Sequence, residues 1–395
     1  MSWPKVRLKD ICDLQNGYAF KSSDYVDDSN TLSCRMSNIR PGGVFDIDYN
    51  ARYLPDDLAE KYSQFLLKDG DVIIAMTDLA DAPKILGVPT VVETEGRNVL
   101  LNQRVGKLVI KDSQRVHFPY LKLALNYPKV RSVYKRFAGG GLQINLGKND
   151  LLSVEIPLPP LEEQKRIAAI LDKADSVRRK RQQAIDLADD FLRSVFLDMF
   201  GSDLQRSTNV TTFGDVSILD AKMVDPCEEE YLDLLHIGPD RIEKSTGKLL
   251  PALTAREEQL ISKKFLFDNQ YILYSKIRPY LRKVAVPDFK ALCSADMYPI
   301  KPVKGKVTRE FMWMLLLSDY FDNYVSSLPA RANIPKLNRI ELAAFEFSLP
   351  DFSKIEKFTA VVKKSHQDTK RINSSYVESI NLFNALSQKA FAGEL

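Results

Sequence analysis

The strongest constraint on how this 395-residue chain can fold is an internal repeat with an interval of 191 residues. Sliding the sequence over itself by that interval sets residues 117–200 on 308–391 without a gap. Only nine positions in the span are identical, so the repeat lies in pattern rather than identity. Val154-Glu155-Ile156 ahead of Leu158-Pro159 recurs as Phe345-Glu346-Phe347 ahead of Leu349-Pro350, which predicts a strand closed by proline in each copy. After each proline runs a stretch of about 40 residues without Gly or Pro. Apolar residues recur in it at three-four spacing, from Ile167 and Leu171 to Val195 and Met199, and from Ile355, Phe358 and Val362 to Phe383 and Leu386. That pattern predicts two helices, each roughly 60 Å long, with a seam for helix-on-helix packing.

Ahead of each predicted strand lies a mixed region with short apolar strands, such as Val72-Ile73-Ile74-Ala75 and Tyr271-Ile272-Leu273-Tyr274. A shorter helical stretch follows in each, near Tyr120–Phe137 and Phe311–Leu328. The expected class is α+β: two similar α/β recognition domains (1–156 and 205–348) alternating with long helices (157–204 and 349–395). If the two seams pair with each other, the second helix returns antiparallel to the first. The direct repeat then becomes a pseudo-two-fold, with two readers facing each other across a stiff coiled-coil-like spacer. Such an object suits two short, separated sequences on a DNA duplex, although a protein-only scaffold has the same outline.

Net charge is only +4. Residues 352–391, with seven Lys/Arg against three Asp/Glu, account for that excess. Nucleic-acid contact would therefore need local patches. Cys12, Cys34, Cys227 and Cys293 form no Cys-x-x-Cys pair, and His117, His236 and His366 are isolated, which argues against a metal centre or a disulfide framework. No run of about 18 apolar residues is present, so a cytoplasmic protein is expected.

Three stretches combine cations with groups able to read bases. In the first domain Lys129, Arg131, Lys135 and Arg136 precede a glycine run containing Gly140, then Gln143 and Asn145. Basic side chains position a protein on phosphates, Gln and Asn can bond an adenine edge in two places, and glycine allows close backbone approach. At the repeat-equivalent place the second domain has Arg331, Asn333, Lys336 and Arg339. Lys276, Arg278, Tyr280, Arg282 and Lys283 form the densest mixture of cations and an aromatic ring. The first long helix, with eight basic and eight acidic residues between Leu161 and Phe200, is too neutral for a clamp. Its polar middle, Arg178-Arg179-Lys180-Arg181, belongs in water or against a partner, with the apolar ends doing the pairing. Signatures of catalysis are missing: the only Pro-Pro, Pro159-Pro160, opens a helix, and neither Pro287-Asp288 nor Pro350-Asp351 is followed by an acid-x-lysine pair. A modifying or cutting enzyme with its own specificity module is the remaining alternative.

Pro157-Leu158-Pro159-Pro160-Leu161-Glu162-Glu163-Gln164-Lys165-Arg166-Ile167, with Phe196-Leu197-Asp198-Met199-Phe200-Gly201 further on, resembles the central region of specificity subunits of type I restriction-modification systems. Ala390-Phe391-Ala392-Gly393-Glu394-Leu395 resembles that family's ending, and Leu101–Val105 and Ser275–Leu281 resemble pieces of its recognition domains. The resemblance implies a non-catalytic subunit that reads a bipartite DNA target. It also implies two methyltransferase (modification) subunits docked on the helices, and restriction subunits that cleave. S-adenosylmethionine, ATP and magnesium would sit on those partners and none on this chain. Leu161, Gln164 and Ile167, and in the second copy Phe352 and Phe358, are the expected docking residues at the helix starts. Asp351 in place of Pro160, and Ile355 in place of Gln164, set the second helix start apart from the first.

Overall fold

The computed structural model describes residues 3–80, 83–137, 142–206, 208–329 and 335–395. They form two compact units, residues 1–179 with 377–395 and residues 180–376, so each unit takes half of each long helix. The central helix runs Leu161–Leu204 and the second long helix Phe352–Ala392.

The units share one topology. In the first, an antiparallel sheet has the order Pro89–Val91, Val72–Ala75, Val105–Ile110, Cys12–Asn16. The second repeats it as Val284–Ala285, Ile272–Ser275, Met297–Pro302, Ser217–Ile218. Behind each lies a second sheet built on one parallel pair, Thr31–Cys34 with Asn98–Leu101 and His236–Ile237 with Ala291–Cys293. A two-stranded ribbon closes each unit beside its long helices, Lys5–Arg7 with Glu155–Pro157 and Val210–Thr212 with Glu346–Ser348.

Burial explains why the middle strands read as unbroken apolar runs. Val72 and Ile74 face the helices while Ile73 and Ala75 face the second sheet, and all four are buried. Ile272 and Tyr274 against Leu273 repeat the division. A strand covered on both faces has no polar side to alternate.

Within each unit the long helices pack antiparallel through their apolar ends, as the spacing predicts. In the first unit Ile167, Ala168 and Leu171 share a core with Ala390 and Phe391, and Arg166 Nη2 donates to the Leu395 carbonyl at 2.7 Å. In the second, Phe196, Phe200, Phe311 and Phe358 pack with ring centroids 5.1 to 5.7 Å apart, and Lys354 Nζ meets the Asp203 carboxylate at 2.6 Å. The polar middle is tied locally: Arg178 bonds Asp175 at 2.6 Å and lies over the Phe383 ring, and Arg181 donates to the Ser375 carbonyl.

Candidate nucleic-acid interface

A short outlying ribbon recurs at one place in both units. In the first, Thr77–Leu79 pairs antiparallel with Gln143–Asn145, Leu79 opposite Gln143 and Thr77 opposite Asn145. In the second, Ile277 bridges Lys336, with the Arg278 amide donating to Pro335 at 2.8 Å and the Leu337 amide to Lys276 at 2.8 Å. The bond from the Leu146 amide to Met76 in the first unit occupies the matching place. Lys336 thus stands where Asn145 stands. Two clusters far apart in sequence, 276–283 and 336–339, become one surface.

On the first ribbon Gln143 and Asn145 are exposed, and Thr77 Oγ1 donates to Asn145 Oδ1 at 2.9 Å. Sequence reasoning missed Leu79 and Leu142, which are 58% and 86% exposed beside Gln143. Exposed leucines on a paired ribbon are candidates for contact with a thymine methyl; the signal lay in strand pairing, which one sequence does not print. Lys129 and Arg136 are exposed, whereas Arg131 turns inward and donates to the Lys84 carbonyl at 2.7 Å. Burial pushes the Arg131 pKa down, opposed by the Asp78 charge. Gly140, Arg331 and Asn333 lie outside the described residues, as does the side chain of Lys135.

On the second ribbon Arg278, Lys336 and Arg339 are exposed, and Tyr280 is 56% exposed. Arg278 and Arg282 both adopt left-handed backbone, each at φ 48°, bracketing the Pro279–Leu281 turn that carries Tyr280. Such a conformation costs a branched or long side chain roughly 1 to 3 kcal/mol and tends to persist where a turn presents something. The other cations have partners within the unit. Arg282 pairs with Asp319 at 2.7 Å and Asp322 at 2.8 Å, Lys283 donates to Pro239, and Lys276 donates to Ala295 at 2.6 Å.

The expected docking residues divide by burial. Gln164, Ile167 and Phe358 are fully buried in their own units, so they have no surface to offer; Leu161 and Phe352 are half-buried. Gln164 instead holds the helix start: its Oε1 accepts from the His117 amide at 2.8 Å, and its Nε2 donates to Arg115 at 3.0 Å and Pro159 at 2.8 Å. Among the described residues no cluster of His, Cys, Asp and Glu could hold a metal ion, and no helix is long and apolar enough to cross a membrane.

Residues 2–187 match the family model of the type I restriction modification DNA specificity domain. The type I restriction enzyme EcoDI specificity subunit of Escherichia coli is 27% identical over 288 residues, 63% of this chain and 64% of that protein. The MjaVIII specificity subunit of Methanocaldococcus jannaschii is 30% identical over 191 residues, 47% of this chain and 43% of that protein. The match spans less than two thirds of either relative's length. In fold, the type I restriction-modification S subunit from M. genitalium superposes with a TM-score of 0.59 at 15% identity, covering 99% of this chain and 96% of that one. Two α+β units of one topology, each taking part of both long helices, define a duplicated fold. Residues 2–187 thus resemble a type I restriction-modification DNA specificity domain, and the relatives that the chain is similar to are specificity subunits.

Proposed function

We propose that the chain is the DNA sequence-specificity subunit of a type I restriction-modification complex, reading a split double-stranded target with one ribbon surface per unit. The supporting observation is that the same ribbon recurs in both units and displays exposed polar or cationic side chains in each. On this reading Gln143, Asn145 and the leucines beside them address base edges in the first half-site, while Arg278, Lys336 and Arg339 grip the phosphates of the second with Tyr280 presented beside them. Arg131, Lys276, Arg282 and Lys283 hold the surface in shape, while Lys129 and Arg136 line a separate cleft. The central helix, through which the chain passes from one unit to the other, sets the gap between half-sites. Modification subunits dock around the half-buried Leu161 and Phe352, restriction subunits join them, and the work is done in the cytoplasm. This chain recognises and positions, and chemistry is left to the partners.

The test is a map of methylated adenines in a host with and without the gene. The expected result is a split motif that disappears on deletion. Methylation or cleavage by the purified chain alone would favour an enzyme carrying its own specificity module, and indifference of the assembly to DNA at low salt would favour a scaffold.

A further inference from the structure

We propose that a cleft in the first unit docks an acidic segment of a partner protein that inserts an apolar side chain, and that the second unit offers no equivalent. The cleft, of about 910 Å³, lies between the closing ribbon, the short helix Pro128–Ser132 and the last turns of the second long helix. Its floor is apolar. Trp3 is anchored there by donation from its indole nitrogen to the Ala390 carbonyl at 2.7 Å, and the Tyr127 and Phe391 rings pack with centroids 4.7 Å apart.

Its rim is cationic: Lys5, Arg7, Lys9, Lys129 and Arg136 line it and all are exposed, against two carboxylates, Glu155 and Glu394. Arg7 reaches Glu155 only at 4.0 Å with both side chains more than half exposed, a contact of little worth. Lys5, Lys9 and Lys129 donate no side-chain hydrogen bond and form no ion pair among the described residues. Unused cations around an apolar hollow favour an anionic occupant that also has something apolar to bury.

That combination separates a protein segment from a duplex. A phosphate ridge brings no apolar group, and seating it on such a floor would strip water from charge without return. The volume, near the upper end of the roughly 300 to 1,000 Å³ of ligand pockets, has room for an apolar side chain together with the residues beside it. A buried aromatic or aliphatic anchor ringed by complementary charge is how protein interfaces concentrate affinity and choose partners.

The internal repeat supplies the comparison. Shifted by 191 residues, Lys129, Val133 and Glu155 become Tyr320, Tyr324 and Glu346, which line a cleft of 390 Å³ in the second unit with no basic residue. By strand register Lys5 and Arg7 become Val210 and Thr212, and by the same shift Arg136 becomes Ser327. The repeat duplicates the site and discards its charge, so a partner using it binds once per chain. This inference does not depend on the DNA reading.

Random peptides displayed on phage are selected on the full-length chain. The selected peptide is then measured against a Lys5→Gln/Arg7→Gln/Lys129→Gln variant and a control neutralising Lys263, Lys290 and Lys304, which are exposed in the second unit. The expected consensus joins Asp or Glu to a large apolar residue, binding about tenfold more weakly to the cleft variant and unchanged to the control. Random duplex DNA should not displace it. Absence of a cleft-dependent consensus, equal loss in both variants, or displacement by DNA would overturn the proposal, the last by making the cleft a phosphate track. All six substitutions are at exposed positions, and matching thermal midpoints confirm that the fold is kept.

Discussion

Gln164 is a polar residue buried to nothing, and all of its amide capacity that the structure uses goes to backbone groups in its own unit. Replacing it with methionine keeps the volume and strands the His117 amide and the Arg115 and Pro159 carbonyls, which should lower stability by about 2 to 4 kcal/mol. Urea unfolding measures this, and a loss under about 0.5 kcal/mol would mean those bonds hold nothing. His366 gives a second prediction. Burial beside the Trp313 ring depresses its pKa, with Glu310 and Asp288 pulling the other way and Arg309 and Lys370 assisting. Its folded value lies below its unfolded value near 6.5, so below that pH the unfolded chain binds the extra proton. The resulting stability is present above about pH 6.5 and is lost as pH falls. His366→Asn should flatten the dependence of the urea midpoint between about pH 7 and 5.5; an unchanged slope would assign it elsewhere, His117 being shifted in the same direction. At this scale the residue types were legible in the sequence but their direction was not, because whether Gln164 faces a partner or a loop depends on residues 115–117 folding beside it.

Elements were more legible. Periodicity located both long helices, since an apolar stripe over about 40 residues has few other solutions. The middle strands were legible as apolar runs, while the outlying ribbons were not: their partners lie roughly 60 residues apart and their sides are mixed. The ribbons make the sharpest prediction. Alanine at Arg278, Lys336 and Arg339 should weaken binding to all duplexes and shrink the salt dependence by about one unit of slope for each phosphate no longer neutralised. Alanine at Gln143 and Asn145 should instead relax the sequence preference of the first half-site by roughly 1 to 3 kcal/mol for each base edge left unread, with the slope kept. Filter binding across a salt series separates the two, and identical behaviour of both variants would remove the division of labour.

For the whole molecule, the repeat is what links sequence to function, because a duplicated reader is intelligible only if something fixes the interval between copies. The central helix has 44 residues, about 66 Å at 1.5 Å per residue. Both long helices pass from one unit to the other, at Arg179–Lys180 and Tyr376–Val377, so an insertion at each point falls outside either core. The decisive measurement is therefore a methylation map made with four residues added to each helix at those points. Each addition lengthens its helix by about 6 Å, and at about 3.4 Å per base pair a stiff spacer predicts the same two half-sites with a gap wider by one to two base pairs. Unchanged spacing, or half-sites altered in sequence while the gap stays fixed, would contradict it.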